Sequence, residues 1–152
     1  MNPAYPALLS AFSTAVGLSE PELFLQTEEL VIDEITVSFA YEGNDDIGEV
    51  VFFAQLGKPE ASRLPEVAQV MMEANYLWVG TGGATLALSP KDQEVVCAAR
   101  LPIDTLTGEA LASVLDSFID TATFWKRWLA GEINRPESAL PTRPGALSTL
   151  RG

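Results

Sequence analysis

Leu8, Leu9, Phe12 and Val16 recur at helical spacing, which predicts a first helix over Ala4–Val16. Gly17 is placed to stop it, and Pro6 falls in the first turn, where its missing N–H is not needed. The pattern then changes period. A short strand is expected at Glu29–Ile32, and Ile35, Val37, Phe39 and Tyr41 alternate with smaller or polar residues over the next one. After the turn EGNDDIG, a returning strand runs over Glu49–Leu56. Val50, Phe52, Ala54 and Leu56 share one face of it, but Val51 and Phe53 make the other face apolar too. Such a strand needs cover on both sides, from the rest of the fold or from a partner.

A second helix is predicted over Leu64–Trp78, with Glu60 or Ser62 as its cap and Pro65 in its first turn. Its apolar arc is wide: Leu64, Ala68, Met71, Asn75 and Trp78 form one stripe, broadened by Val67, Val70, Ala74 and Leu77, with Met72 on the far side. A helix with its back to water needs less, so this one is read as sitting at an interface between subunits. Two more strands follow, Ala84–Leu88 and Gln93–Arg100, joined by a turn at residues 89–92 and ended by Pro102. The last helix is expected over Gly108–Ala130, capped by Thr107, with Lys126 and Arg127 suiting its C-terminal dipole. Residues 132–152 carry Pro136, Pro141 and Pro144 without periodicity and read as a flexible tail. The whole is one α+β domain over residues 1–131, in the order α-βββ-α-ββ-α, with no internal repeat.

Charge removes one class of partner. The chain of 152 residues carries 9 basic and 21 acidic side chains, a net charge of −12. Residues 1–57 contain no Lys or Arg, against Glu20, Glu22, Glu28, Glu29, Asp33, Glu34, Glu42, Asp45, Asp46 and Glu49. Nucleic-acid binding needs a cationic footprint, and this half would repel the polymer. Solubility and steering of a basic partner both remain open as uses of the acidity. A hydrophobic fraction of 47% in so small an acidic chain implies apolar surface beyond one monomer's interior. No apolar run reaches the ~20 residues of a membrane helix, and the first residues lack a cationic secretory segment. The expectation is a cytosolic protein with no membrane insertion.

The chemistry on offer is sparse. There is no histidine, which removes Ser-His and Cys-His nucleophile pairs, the common zinc sites and the usual base near neutral pH. The one cysteine, Cys97, lies in the apolar run VVCAA and reads as a buried inert thiol. Glu42, Asp45 and Asp46 lack the spacing of a calcium loop. Gly80, Gly82 and Gly83 follow a helix and precede a strand, the reverse of a phosphate cradle, so they read as a helix-ending turn. Neither cofactor nor metal is expected.

The stretches FFAQLG (residues 52–57), MEANYLWVGTGGATLAL (72–88), RLP (100–102) and Leu111–Trp125, in this order and spacing, resemble the class I chaperones of bacterial type III secretion, the Tir chaperone family. The resemblance covers about Leu8 to Leu129. It implies a twisted antiparallel sheet flanked by helices, in a homodimer with the second helix near the two-fold axis. It further implies a bacterial cytoplasmic protein that uses no ATP and binds the N-terminal, non-globular segment of a secreted effector. Such a protein keeps its client soluble and export-competent and helps deliver it to the secretion apparatus. The Pro-rich tail departs from the pattern.

On periodicity, Leu8, Phe12, Val16, Val51 and Phe53 are the candidates for the effector groove. Val67, Val70, Met71, Ala74 and Trp78 are the candidates for the dimer face. Two other classes compete. One is a dimeric adaptor or regulator with the same fold and a different client. The other is a small enzyme using paired carboxylates, Glu42 with Asp46 or Asp92 with Glu94, but each pair falls where solvated charge is the commoner fate.

Overall fold

The computed structural model describes residues 2–134. Most of the expected tail, residues 135–152, lies outside them. Within them the chain forms α1 (Ala4–Val16), α2 (Pro21–Thr27), β1 (Glu29–Ile32), β2 (Ile35–Gly43), β3 (Gly48–Gly57), α3 (Leu64–Asn75), β4 (Thr85–Leu88), β5 (Val95–Pro102) and α4 (Gly108–Leu129). The strands make one antiparallel sheet in the order β1-β2-β3-β5-β4. The α+β order is as expected, with one addition and one shortening.

The addition is α2. Pro21 sits at its start and Glu22 in its first turn, both suited to a helix N-terminus. Its seven residues span less than two full turns, too few for apolar residues to show a period. The shortening is at the end of α3, which stops at Asn75 instead of Trp78. A 3₁₀ turn follows, with Leu77 and Trp78 at φ 51° and 56°. Bulky residues rarely occupy that left-handed region, and it turns both side chains outward. Neither Glu60 nor Ser62 caps α3, whose N-cap position is Arg63 with no side-chain cap.

Alternation sorts the sheet into two faces. Val37, Phe39, Val50, Phe52, Ala54, Val95 and Cys97 are buried beneath α1 and α4. An aromatic chain ties the layers: Phe24 meets Phe12 and Phe39 at 5.7 and 5.4 Å between ring centroids, Phe39 meets Phe52 at 6.1 Å, and Phe52 meets Phe118 edge-on at 5.0 Å. At the far end, Trp125 donates its indole N–H to the Gly80 carbonyl at 3.0 Å and packs edge-on to Trp128. Arg63 stacks over Trp128 and donates to the Leu129 carbonyl at 3.2 Å. These contacts fix the end of α4 to the start of α3 and to the turn that follows it.

Candidate functional site

The two edges of the sheet differ. Phe39 donates its N–H to the Glu28 carbonyl at 2.8 Å, which sets the alternation of the antiparallel pair. Glu28 gives its own N–H to the Phe24 carbonyl at 2.7 Å, while in the register of β1 on β2 Leu30 and Ile32 are the residues that exchange bonds, so Glu29 and Val31 turn their backbone groups to the far side of β1. No strand lies on that side among the described residues. Glu29 N–H has a long bond to Thr27 Oγ1, at 3.3 Å, and Val31 is 72% exposed. An edge of this kind, with an apolar residue standing on it, is a template for another extended chain.

A groove runs alongside it. Its volume is about 480 Å³, and Leu18, Leu23, Phe24 and Thr27 line one side of it, with Leu30 and Val31 of β1 on the other. Phe24 forms a buried floor, held by Phe12 and Phe39, while Leu23 stays exposed. Glu20 and Glu29 stand at the rim, and Ser38 Oγ donates to the Glu29 carboxylate at 3.2 Å. The β1–β2 turn adds Asp33 and Glu34, both at positive φ, as a two-residue hairpin requires. Lys126 Nζ donates to the Glu34 carbonyl at 2.9 Å and fixes this turn to α4. An apolar trough with an open strand edge and an acidic rim can hold an extended peptide whose alternate side chains are apolar and whose flanks are basic.

A second apolar surface lies at the opposite end of the sheet. Met72 is 75% exposed, and Tyr76, Leu77 and Trp78 are exposed beside it. Pro65, Ala68, Met72 and Tyr76 line a shallow depression along the outer side of α3.

Several of the expected site residues are elsewhere. Leu8 and Phe12 are buried in the core, because α2, absent from the periodicity, brings Phe24 over the stripe of α1. Val16 is 43% exposed. Val51 and Phe53 are half-buried on the sheet face away from α1 and α4, so these five residues do not form one surface. Val67, Val70, Met71 and Ala74 are buried within their own chain and are not available as an exposed dimer face. The wide arc of α3 is used up by packing along β4 and by the Gly80 turn, where a Cβ would come within 2.9 Å of Ala74. Trp78 alone of that group is exposed.

Leu23, Val31 and Tyr76 escape the periodicity because it selects the residues a helix or strand buries and passes over its outer side. The spacing puts Asn75 in the apolar stripe, yet both ends of its side-chain amide are hydrogen-bonded. Its amide donates to the Leu86 carbonyl at 2.8 Å and accepts from the Leu86 N–H at 2.9 Å.

In both acid pairs the carboxylates of Glu42, Asp46 and Asp92 stand exposed. The Asp92 carboxylate accepts the Glu94 N–H at 3.1 Å. That bond first, then one from Ser89, holds its pKa below the usual range while it stands in solvent. Glu42 is exposed and lies 3.9 Å from Arg100, which also pairs with Glu49 at 3.4 Å. Among the described residues, no group of three His, Cys, Asp or Glu side chains could hold a metal ion, and no helix is long and apolar enough to cross a membrane.

The family model described as the Tir chaperone protein (CesT) family matches residues 7–126. No curated protein matches the chain. Among solved structures, the fold is similar to the Yersinia pestis type III secretion chaperone SycH in complex with a stable fragment of YscM2. That match has 29% identity and a TM-score of 0.55, covering 79% of this chain and 98% of that one. It is also similar to the ExoT–SpcS complex from Pseudomonas aeruginosa, with 18% identity and a TM-score of 0.60, covering 82% and 98%. The HopA1–SchA chaperone–effector complex matches at 19% identity and a TM-score of 0.54, covering 83% and 92%.

Proposed function

The chain belongs to the Tir chaperone family, and from that premise we propose that it is a type III secretion chaperone. It works in the bacterial cytoplasm as a homodimer, binds an N-terminal, non-globular segment of a secreted effector and keeps it ready for export. It acts by surface complementarity and not as an enzyme. The open edge of β1 beside the trough floored by Phe24 carries this reading. A client strand adds to β1 through the outward backbone groups of Val31, and its alternate side chains drop between Leu23 and Leu30. Backbone pairing tolerates different client sequences, while the trough and its acidic rim select among them. Ordering a flexible client is costly, so the contact extends beyond the trough to the order of 1,000–3,000 Å². Family membership and the likeness to SycH, a chaperone solved with a bound polypeptide, support the client class.

The chain is co-expressed with N-terminal fragments of secreted effectors from its host, and soluble complexes are sought. One fragment or more is expected to co-purify. Leu23→Asp with Val31→Asp should weaken that complex by about 100-fold or more, since each aliphatic contact is worth roughly 1.5–3 kcal/mol and a buried carboxylate adds a penalty. Capture that survives both substitutions would place the client elsewhere.

A further inference from the structure

A sheet with two edges offers two templates for an added strand, yet the second edge of this sheet is blocked from within at one of its two outward-facing residues. Ser89 donates its N–H to the Glu94 carbonyl at 2.8 Å. The register of β4 on β5 therefore makes Thr85 and Ala87 the residues bonded to β5, and Leu86 and Leu88 those whose backbone faces outward. On that outer side both backbone groups of Leu86 are taken by one side chain, the Asn75 amide, at 2.8 and 2.9 Å. A primary amide presents a donor and an acceptor on one side, so it can meet the N–H and the carbonyl of one residue as a neighbouring strand would. Asn75 is placed for this by being the last residue of α3, just before the 3₁₀ turn. The Gly80 N–H, donating to the Ala74 carbonyl at 3.0 Å, locks that turn back onto the helix. An aliphatic residue would fill the same space without making either bond.

We infer that Asn75 is a specificity-determining residue: its amide closes the β4 edge against strand addition and so confines backbone pairing by an extended partner to β1. The inference deepens the chaperone reading, since it names which edge takes the client. The closure of β4 itself is tested without a client. A short edge blocked at Leu86 would also keep a chain that exposes Tyr76, Leu77 and Trp78 next to β4 from pairing edge-to-edge through this strand.

The test is amide hydrogen exchange on the full chain. In the wild type, Leu86 N–H is expected to exchange about tenfold or more slowly than Leu88 N–H, the next outward amide on the same strand. Asn75→Ala should bring Leu86 up to the rate of Leu88 while core amides such as Phe52 stay protected. Asn75→Asp, which still accepts from Leu86 N–H but cannot donate, should keep Leu86 protected, an outcome that general loosening of α3 would not give. The alanine variant should also form assemblies larger than the wild-type species, with concentration-dependent protection at Leu88 and none at Val31. Equal exchange of Leu86 and Leu88 in the wild type overturns the inference, and that comparison stands even if Asn75→Ala fails to fold. It is equally overturned if the folded alanine variant keeps the wild-type size, or associates through Val31. None of these readouts depends on effector capture, so a failed search for a client leaves this result intact, and the reverse also holds.

Discussion

Cys97 sits in the middle of β5, paired with Ala54 of β3 on one side and Leu86 of β4 on the other. Burial alone pushes its thiol from 9.0 up to about 12, which leaves it an inert core residue, as its apolar sequence neighbours suggest. Tyr5 is a parallel case. Its hydroxyl is buried, and burial first, then the nearby Glu28 carboxylate, lifts its pKa above the ordinary phenol value. Both groups hold their protons in the folded chain at pH values where the unfolded chain releases them. Their contribution is therefore intact below pH 9 and is lost as pH rises from there towards 12. Urea midpoints should be level from neutral pH to just below 9 and then fall. Cys97→Ala should lower stability throughout through its cavity but flatten the alkaline slope, by up to ~1.4 kcal/mol per pH unit for one proton. A slope identical to the wild type would mean the thiol ionises in the native state. Residue identity alone made Cys97 legible. Nothing in the sequence around Tyr5 tells that its hydroxyl is buried near Glu28, because the two meet only through the fold.

At the scale of elements, the period of the apolar residues is enough to place α1, β2, β3 and α4, since each runs long enough to repeat. Gly17 and Thr107 mark ends that the structure confirms: Gly17 takes φ 66°, and Thr107 Oγ1 accepts the Ala110 N–H at 3.1 Å. Where the pattern runs short, it fails, as at α2, or it overshoots, as at Trp78. How elements cross is a further matter that no period encodes. Gly108, the first residue of α4, lies against the backbone of α1: a Cβ there would stand 2.5 Å from the Ala11 carbonyl carbon and 2.7 Å from Phe12 N. In an open helix, Gly→Ala stabilises by about 1 kcal/mol. Here the sign reverses, because two backbones must part. Gly108→Ala should cost roughly 1–3 kcal/mol in urea unfolding. A variant as stable as the wild type would show that α1 and α4 can separate at no cost.

For the whole molecule, the order β1-β2-β3-β5-β4 separates two surfaces. The trough proposed for the client belongs to β1, while the exposed Met72, Tyr76 and Trp78 belong to α3 and the turn after it, beside β4. Four strand spacings of about 4.8 Å lie between the edges. A dimer formed through α3 would therefore leave both troughs free. The buried side of α3 builds the monomer, so a second copy on this helix would have to cover its outer side. A stable dimer needs about 1,200–2,000 Å² in all, which the outer side of α3 and the 76–78 turn would anchor. Charge opposes this association, because two chains of net −12 repel each other. Salt should therefore tighten the dimer while it weakens capture of a basic client segment at the acidic rim. Met72→Glu with Trp78→Glu is expected to yield a folded monomer by light scattering that still binds one client segment per chain. If the pair instead abolishes capture with the fold intact, the two surfaces are one site, and the trough at β1 is not where the client sits.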